Sequence, residues 1–327
     1  MFFTKKTFLI VMVMSLAILL VGGIGSALAE TIDIWVVVHG GIADPFWRVV
    51  ERGVMDAADN YPDLNVTYTG PPVFDFVQFL AFVETAIAAD PDVLVVTLTE
   101  PEAMDEVLRT AIAGGLPVIG INAPDLREPA DARIPVLTYV GEDSYFIGVA
   151  AARETLARFT PRRAVYVNHH PGARNIELRG AGFVDTMREA GVPAEQLDIT
   201  VDPVMGAEIT LAYLQANPDT DVIFSGNTLR TETIVTRLLD EGIAVGEEVK
   251  IAQMDISEKI LEYIQDGLVM FTMDQQQYMQ GYLGVVFAYL HAKFGLTPPP
   301  TPVSTGPSVI TADDIPYLLE LAEKGFR

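Results

Sequence analysis

The sequence predicts an α/β protein of two doubly wound, Rossmann-like halves, each built on a parallel sheet. Three observations carry this. Short apolar runs alternate with helical patterns along nearly the whole chain, which is the signature of a parallel sheet with helices on both faces. The length of 327 residues is too great for one typical domain and comfortable for two. The strand–helix rhythm also starts afresh after Gly141-Glu142-Asp143, although the two halves share no convincing sequence repeat.

The first unit organises the rest. Ile32 to Val38 is a short apolar run with Trp35 inside, as expected of a strand covered on both faces. Asp44-Pro45 supplies a capping residue and a proline pre-set for a first helical turn. From Phe46, the residues Val49, Val50, Gly53, Val54, Ala57 and Ala58 recur at the spacing of one helical face. Leu64–Thr69 reads as a strand and Phe76–Ala89 as a helix. Val93–Leu98 is a third strand after Asp90-Pro91. Glu102–Ala113 is a helix stopped by Gly114-Gly115. Leu116–Ile121 and Ile134–Val140 follow as strands.

The second half predicts helices over Tyr145–Phe159, 176–190, Ala207–Ala216, Thr231–Glu241, Ser257–Asp266 and Tyr278–Phe294. Its strands are expected at Ala164–Asn168, Asp198–Val201, Asp221–Ser225, Lys250–Met254 and Val269–Met273. Thr297–Pro302 suits a stiff extended connector, and a short helix closes the chain near Ile315–Lys324.

Composition narrows the function. With 21 Lys+Arg against 44 Asp+Glu, the net charge of −23 argues against a broad basic face for nucleic acid or anionic lipid. The absence of cysteine excludes disulfides, thiolate metal sites and cysteine nucleophiles. The N-terminus has a secretory design. Lys5 and Lys6 precede an apolar core from Phe8 to Val21, and Ala27-Leu28-Ala29 gives a cleavage site, so residues 1–29 are expected to be a signal peptide. Retention of this leader as a membrane anchor is the alternative. The protein is thus expected in the periplasm or on the exterior of the cell envelope.

In open parallel sheets, ligands sit beyond the carboxyl ends of the strands. The residues falling there are His39, Asp44, Thr97, Thr99 and Asn122 in the first half. In the second they are Asn168 with His169, then Asn227, Asp255 and Gln275. Amides and carboxylates in fixed directions suit a hydroxyl-rich ligand, and Phe46 and Trp47 could cover the apolar faces of a sugar ring. Each residue also has a plainer reading. Asp44 and Asp255 could serve only as helix caps, Phe46 and Trp47 as core, and Asn122 and Asn227 as turn residues. His169-His170 resembles a metal pair, but adjacent side chains do not usually face one site, and with four histidines and no cysteine no metal or cofactor is expected. Dinucleotide, Walker-type and nucleophile-elbow motifs are absent, so the chain does not read as an enzyme.

The segments ADPFW (Ala43–Trp47), GLPVIGIN (Gly115–Asn122), VGEDSYFIG (Val140–Gly148), RGAGF (Arg179–Phe183), ANPDTDVIFSGN (Ala216–Asn227), MDIS (Met254–Ser257) and DQQQYMQGYLGVV (Asp274–Val286) together resemble the periplasmic sugar-binding proteins of ABC transporters, in the ribose-binding group. The last of these, with VNHHPG (Asn168–Gly172), is similar to a subgroup for rhizopine- or inositol-like ligands. The resemblance implies two lobes joined by three hinge crossings, near Glu142-Asp143, near Gln275 and near Ser304–Pro307. The lobes would comprise residues 31–142 with 276–305, and 143–275 with 306–327. It implies ligand positions at Asp44, Phe46, Trp47, Thr97, Asn122, Glu177, Asn227, Asp255 and Gln275; His39 is added from its place after the first strand. The two arginines of the ribose type fall on Ala123 and Glu177 here. That shifts the expected ligand from ribose towards a hexose, cyclic polyol or amino-sugar. The implied partner is a membrane permease, with the protein a monomer and no nucleic acid bound. A sensor presenting its ligand to a membrane receptor kinase would use the same cleft. A sugar-responsive transcription regulator would need a basic N-terminal helix-turn-helix where the leader stands.

Overall fold

The computed structural model describes residues 31–41, 45–200 and 202–326. Residues 1–29, Asp44 and Val201 lie outside them. Two parallel-dominated sheets form. The first contains β1 (Ile32–Val37), β2 (Leu64–Thr69), β3 (Val93–Val96), β4 (Val118–Ile121), β5 (Tyr139–Gly141) and β11 (Val303–Ser304), in the order β11-β5-β4-β3-β1-β2. The second contains β6 (Ala164–Asn168), β7 (Ala194–Asp198), β8 (Val222–Ser225), β9 (Lys250–Met254), β10 (Phe271–Asp274) and β12 (Ser308–Ile310), in the order β12-β10-β9-β8-β6-β7. Only the β10–β12 pairing is antiparallel among the described strands. Between them run α1 (Pro45–Ala58), α2 (Phe76–Ala88), α3 (Pro101–Ala113), α4 (Ser144–Arg158), α5 (Arg174–Glu189), α6 (Pro203–Ala216), α7 (Thr228–Asp240), α8 (Glu258–Gln265), α9 (Gln277–Phe294) and α10 (Ile315–Glu323).

Strand alternation distributes the core. Ile32, Ile34 and Val36 of β1 pack with Val50 and Val54 of α1 and Val285 of α9, whereas Val37 faces Phe79 and Val83 of α2 and Met104 and Leu108 of α3. The second sheet is covered likewise. Tyr166 and Phe224 meet Ile147 of α4 and Phe183 of α5, while Val165 and Ile223 meet Leu211 of α6, Ile234 of α7 and Ile260 of α8. The chain therefore passes between the halves after β5, after β10 and after β11. At its end, the Phe326 ring lies 5.4 Å from Tyr278 and 4.8 Å from the Arg52 guanidinium.

Each sheet has a switch point where strand order reverses, beside β1 and β3 in one and beside β6 and β8 in the other. The carboxyl ends at those points supply the site.

Two strands differ from the sequence reading. The stretch expected as Ile134–Val140 pairs only at Tyr139–Gly141. Pro135 has no N–H to give a ladder, and the Ile134 N–H donates instead to the Asp125 carboxylate at 2.8 Å. The strand expected at Asp198–Val201 lies earlier, at Ala194–Asp198. It is an edge strand of sequence AEQLD, paired only with β6. A polar edge gives little apolar signal, whereas the neighbouring Ile199 is apolar because it packs into the core beneath. The two-residue β11 and three-residue β12 went unread for want of length.

Close helix contacts repeat in both halves. A Cβ on Gly53 of α1 would stand 2.1 Å from the Tyr278 carbonyl oxygen, and one on Gly281 of α9 2.3 Å from that of Val50. In the second half, a Cβ on Gly148 of α4 would lie 2.0 Å from the Arg179 oxygen, and one on Gly182 of α5 2.1 Å from that of Tyr145. Backbone meets backbone at these points, and only glycine fits. Gly182→Ala is therefore expected to destabilise the protein by about 1–3 kcal/mol, the cost of overpacking, although alanine is the better helix former. Chemical denaturation checks this; a gain in stability would show that α4 and α5 part freely.

Candidate functional site

The turn after β1 places His39. The Thr97 hydroxyl, just past β3, accepts the His39 backbone N–H at 3.1 Å and lies 3.0 Å from His39 Nδ1. Its own proton is then free for Nδ1, which leaves Nε2 to carry the ring hydrogen. Burial, with the neighbouring His170, pushes the His39 pKa down to about 3, so the ring is neutral at neutral pH. The buried Trp47 ring meets His39 edge-on at 4.8 Å, and its indole fills the space a side chain at Gly40 would need. Trp47 and Thr97 thus position His39 and do not line the gap. Phe46, one residue earlier on α1, does line it.

A chain of amides crosses between the halves. Asn122, after β4, has φ +60° and Asp255, after β9, has φ +74°, a left-handed geometry that Asn and Asp tolerate better than most residues. Asn122 Nδ2 donates to Gln280 Oε1 at 3.1 Å and to Gln275 Oε1 at 3.4 Å. Gln275 Nε2 donates to Asp255 Oδ1 at 2.7 Å. Gln280 Nε2 reaches the Thr305 hydroxyl at 3.3 Å, and that hydroxyl donates to the Gln275 carbonyl at 2.7 Å. Asp255 itself is fixed by its backbone, whose N–H donates to the Met273 carbonyl at 2.9 Å and whose carbonyl accepts from the Thr272 hydroxyl at 2.5 Å. Burial pushes the Asp255 carboxyl up to about 7, against the opposing pull of Arg179 and Gln275.

The second half adds Asn227, which caps α7 by accepting the Arg230 N–H at 3.0 Å and also faces the gap. Ser257 caps α8 and donates to Glu232 Oε1 at 2.7 Å. Arg179 on α5 is buried and paired with Glu142 of the first crossing at 2.5 Å. Burial works against its charge, but Glu142 and other neighbours hold its pKa above the ordinary arginine value.

His39, Phe46, Asn122, Asn227, Asp255 and Gln275 converge on one cavity of about 450 Å³ between the halves. Glu177 is not among its lining residues. It accepts from Gln196 at 2.8 Å, from the Gly172 N–H at 3.0 Å and from Asn168 at 2.9 Å, and ties down the loop after β6. Burial acts to raise its pKa, but these donors hold it low. Asp44 lies outside the described residues. Sequence reasoning missed Arg179, Asn175, Glu232 and Gln277, placed His169 past its strand end with Asn168, and doubted His169-His170 as a metal pair; Arg179, Asn175, Glu232, Gln277, His169 and His170 all line the cavity. Arg179 stood in plain view within RGAGF. Glu232 sits on the second turn of α7, too far past its strand end to be sought. Among the described residues, Gln277 Oε1, His169 Nδ1 and Arg179 Nε are buried without a hydrogen-bond partner.

The titrations have opposite signs. Asp255, with a raised pKa, keeps its proton in the folded state where the unfolded chain has lost it, so its contribution falls as pH rises from about 4 to about 7. His39, with a lowered pKa, stays neutral where the unfolded chain takes up a proton, so its contribution falls as pH drops from about 6.5 towards 3. Asp255→Asn is expected to remove the first effect, gaining on the wild type between pH 4 and 8 by on the order of a few kcal/mol. Thermal denaturation across that range checks this, and parallel curves would contradict it.

Comparison with known proteins agrees with this geometry. Residues 34–296 match the model of the periplasmic binding protein domain. The chain is similar to the xylose/arabinose-binding protein XylF of Sulfolobus acidocaldarius, with 26% identity over 296 residues covering 86% of this chain and 72% of that protein. It is 24% identical to a D-ribose/D-allose-binding protein of Pseudomonas aeruginosa, covering 81% of this chain and 80% of the relative. Among solved structures, a carbohydrate transporter protein from Acidothermus cellulolyticus in complex with myo-inositol shares the fold with a TM-score of 0.80 and 23% identity, over 91% of this chain and 100% of that one. With two sheets, a cavity between them and a family match over most of its length, the chain belongs to the periplasmic binding proteins, which bind substrates and are not enzymes.

Proposed function

We propose that this chain is the substrate-binding component of an ABC importer, exported by way of residues 1–29, that captures a sugar or cyclic polyol and delivers it to a membrane permease. The observation that carries the reading is the cavity between the halves, walled on both sides by strand-end and helix groups suited to hydroxyls. Asn122, Asn227, Gln275 and Gln277 offer amides, Asp255 and Glu232 offer carboxyl groups, and Phe46 offers an apolar face. The names of the relatives, with pentoses, ribose, allose and inositol among their ligands, point the same way.

Within that class, the lining favours a cyclic polyol, hexose or amino-sugar. The charge of Arg179 is matched by Glu142, so the acceptors left on the cavity wall are the Glu232 carboxylate and, once it loses its proton near pH 7, that of Asp255. Those acceptors suit a ligand rich in donating hydroxyls, or one bearing an amine.

Ligand contacting both halves favours the closed arrangement, because only that state offers both walls at once. Calorimetry against pentoses, hexoses, inositols and inosamines tests the class; tight ribose binding with no polyol or hexose binding would overturn the finer assignment. Asp255→Ala is expected to weaken binding by about 1–3 kcal/mol through partners left unsatisfied. Small-angle scattering should show compaction on saturation, and an unchanged radius would count against closure.

A further inference from the structure

A second chamber of about 800 Å³ adjoins the first and shares Thr99, His170, Ala173 and Asn175 with it. Phe74 of the first half marks the join, its ring 5.4 Å from that of His170 across the gap. The outer chamber is walled by the first turns of α3 and α5, one from each half. Neither helix has a side-chain cap there; Pro101 has no N–H and the Ala103 N–H is bonded to the Glu100 carbonyl at 3.1 Å, so α3 offers the Glu102 N–H while the first turn of α5 offers those of Arg174, Asn175 and Ile176. Glu100 and Glu102 stand exposed on one wall and Arg174 on the other, the latter's charge also acting on Glu177 of the same helix. Arg127, by contrast, is committed to Asp105 and Asp125 at 2.6 Å each. Donors and acceptors thus face one another across a space continuous with the inner cavity.

We infer that the binding site extends into this outer chamber and that the ligand is a disaccharide or other glycoside, with one ring in the inner cavity and a second polar unit between the first turns of α3 and α5. This rests on the sugar-binding reading above. A single ring held in the inner cavity would leave Glu100, Glu102 and Arg174 facing solvent. A second unit meets carboxylates that accept from its hydroxyls, and a guanidinium and N–H groups that donate to them.

Calorimetry on the intact protein, comparing monosaccharides and myo-inositol with maltose, cellobiose, lactose, melibiose and galactinol, tests it. At least one two-unit ligand is expected to bind about 10-fold more tightly than its component rings, the gain from two or so added hydrogen bonds. Ala103→Trp, at an exposed position on the chamber wall, is expected to erase that gain while monosaccharide binding stays within about 2-fold; Arg174→Ala should lose part of it. Monosaccharide binding with no gain from any second unit, or equal loss of both ligand classes in Ala103→Trp, overturns the inference and leaves the sugar reading standing. Failure of every mono- and disaccharide to bind overturns both.

Discussion

The site depends on one interrupted line of amide hydrogen bonds. Asn122 belongs to the first half, Asp255 to the second, and Gln275 to the segment that passes between them; Gln280 and Thr305 add the base of α9 and another passage. Each member is buried. In a low dielectric an unpaired amide is costly, so the line holds its members in register, and the faces that remain open are aimed at the cavity. Three of the five residues, Asn122, Asp255 and Gln275, also line that cavity. The groups that would meet a ligand are therefore the same groups that set how the two halves sit together.

Charge is handled differently in the two halves. The first half offers the cavity a neutral histidine, an aromatic ring and an amide. The second offers Arg179, Asp255 and Glu232. Arg179 would be expensive to bury alone, and Glu142 offsets it at the first passage. Asp255 has no cation bonded to it among the described residues, and it answers burial by holding its proton into the neutral range.

Most of the fold was legible because parallel strands covered on both faces announce themselves as apolar runs. Leu64–Thr69, Ala164–Asn168 and Lys250–Met254 were read to the residue. The misreadings came where that signal weakens, at the polar edge strand Ala194–Asp198 and at Pro135, where an apolar stretch cannot pair. For the site, the rule that ligands gather past strand ends located His39, Asn122, Asn227, Asp255 and Gln275 at the cavity. It could not tell which strand-end side chains turn inward. Thr97 is spent on His39, and Glu177 on the loop after β6, because backbone N–H groups and neighbouring amides there needed an acceptor. Residues contributed by helix faces, such as Glu232, are set by packing between distant segments and left no local trace.

The paired glycines of α1 with α9 and of α4 with α5 bear on mechanics. Where main chains touch with no side chain between them, a helix pair has no cushion to compress. Each pair stands directly beside a passage between the halves, at Glu142–Asp143 and at Gln275–Gln276. In the closure proposed above, a push delivered at the cavity wall would have nowhere soft to dissipate within either half and would reach those short segments as torque. The stiffness of four glycine contacts is what would let a small ligand turn bodies many times its mass.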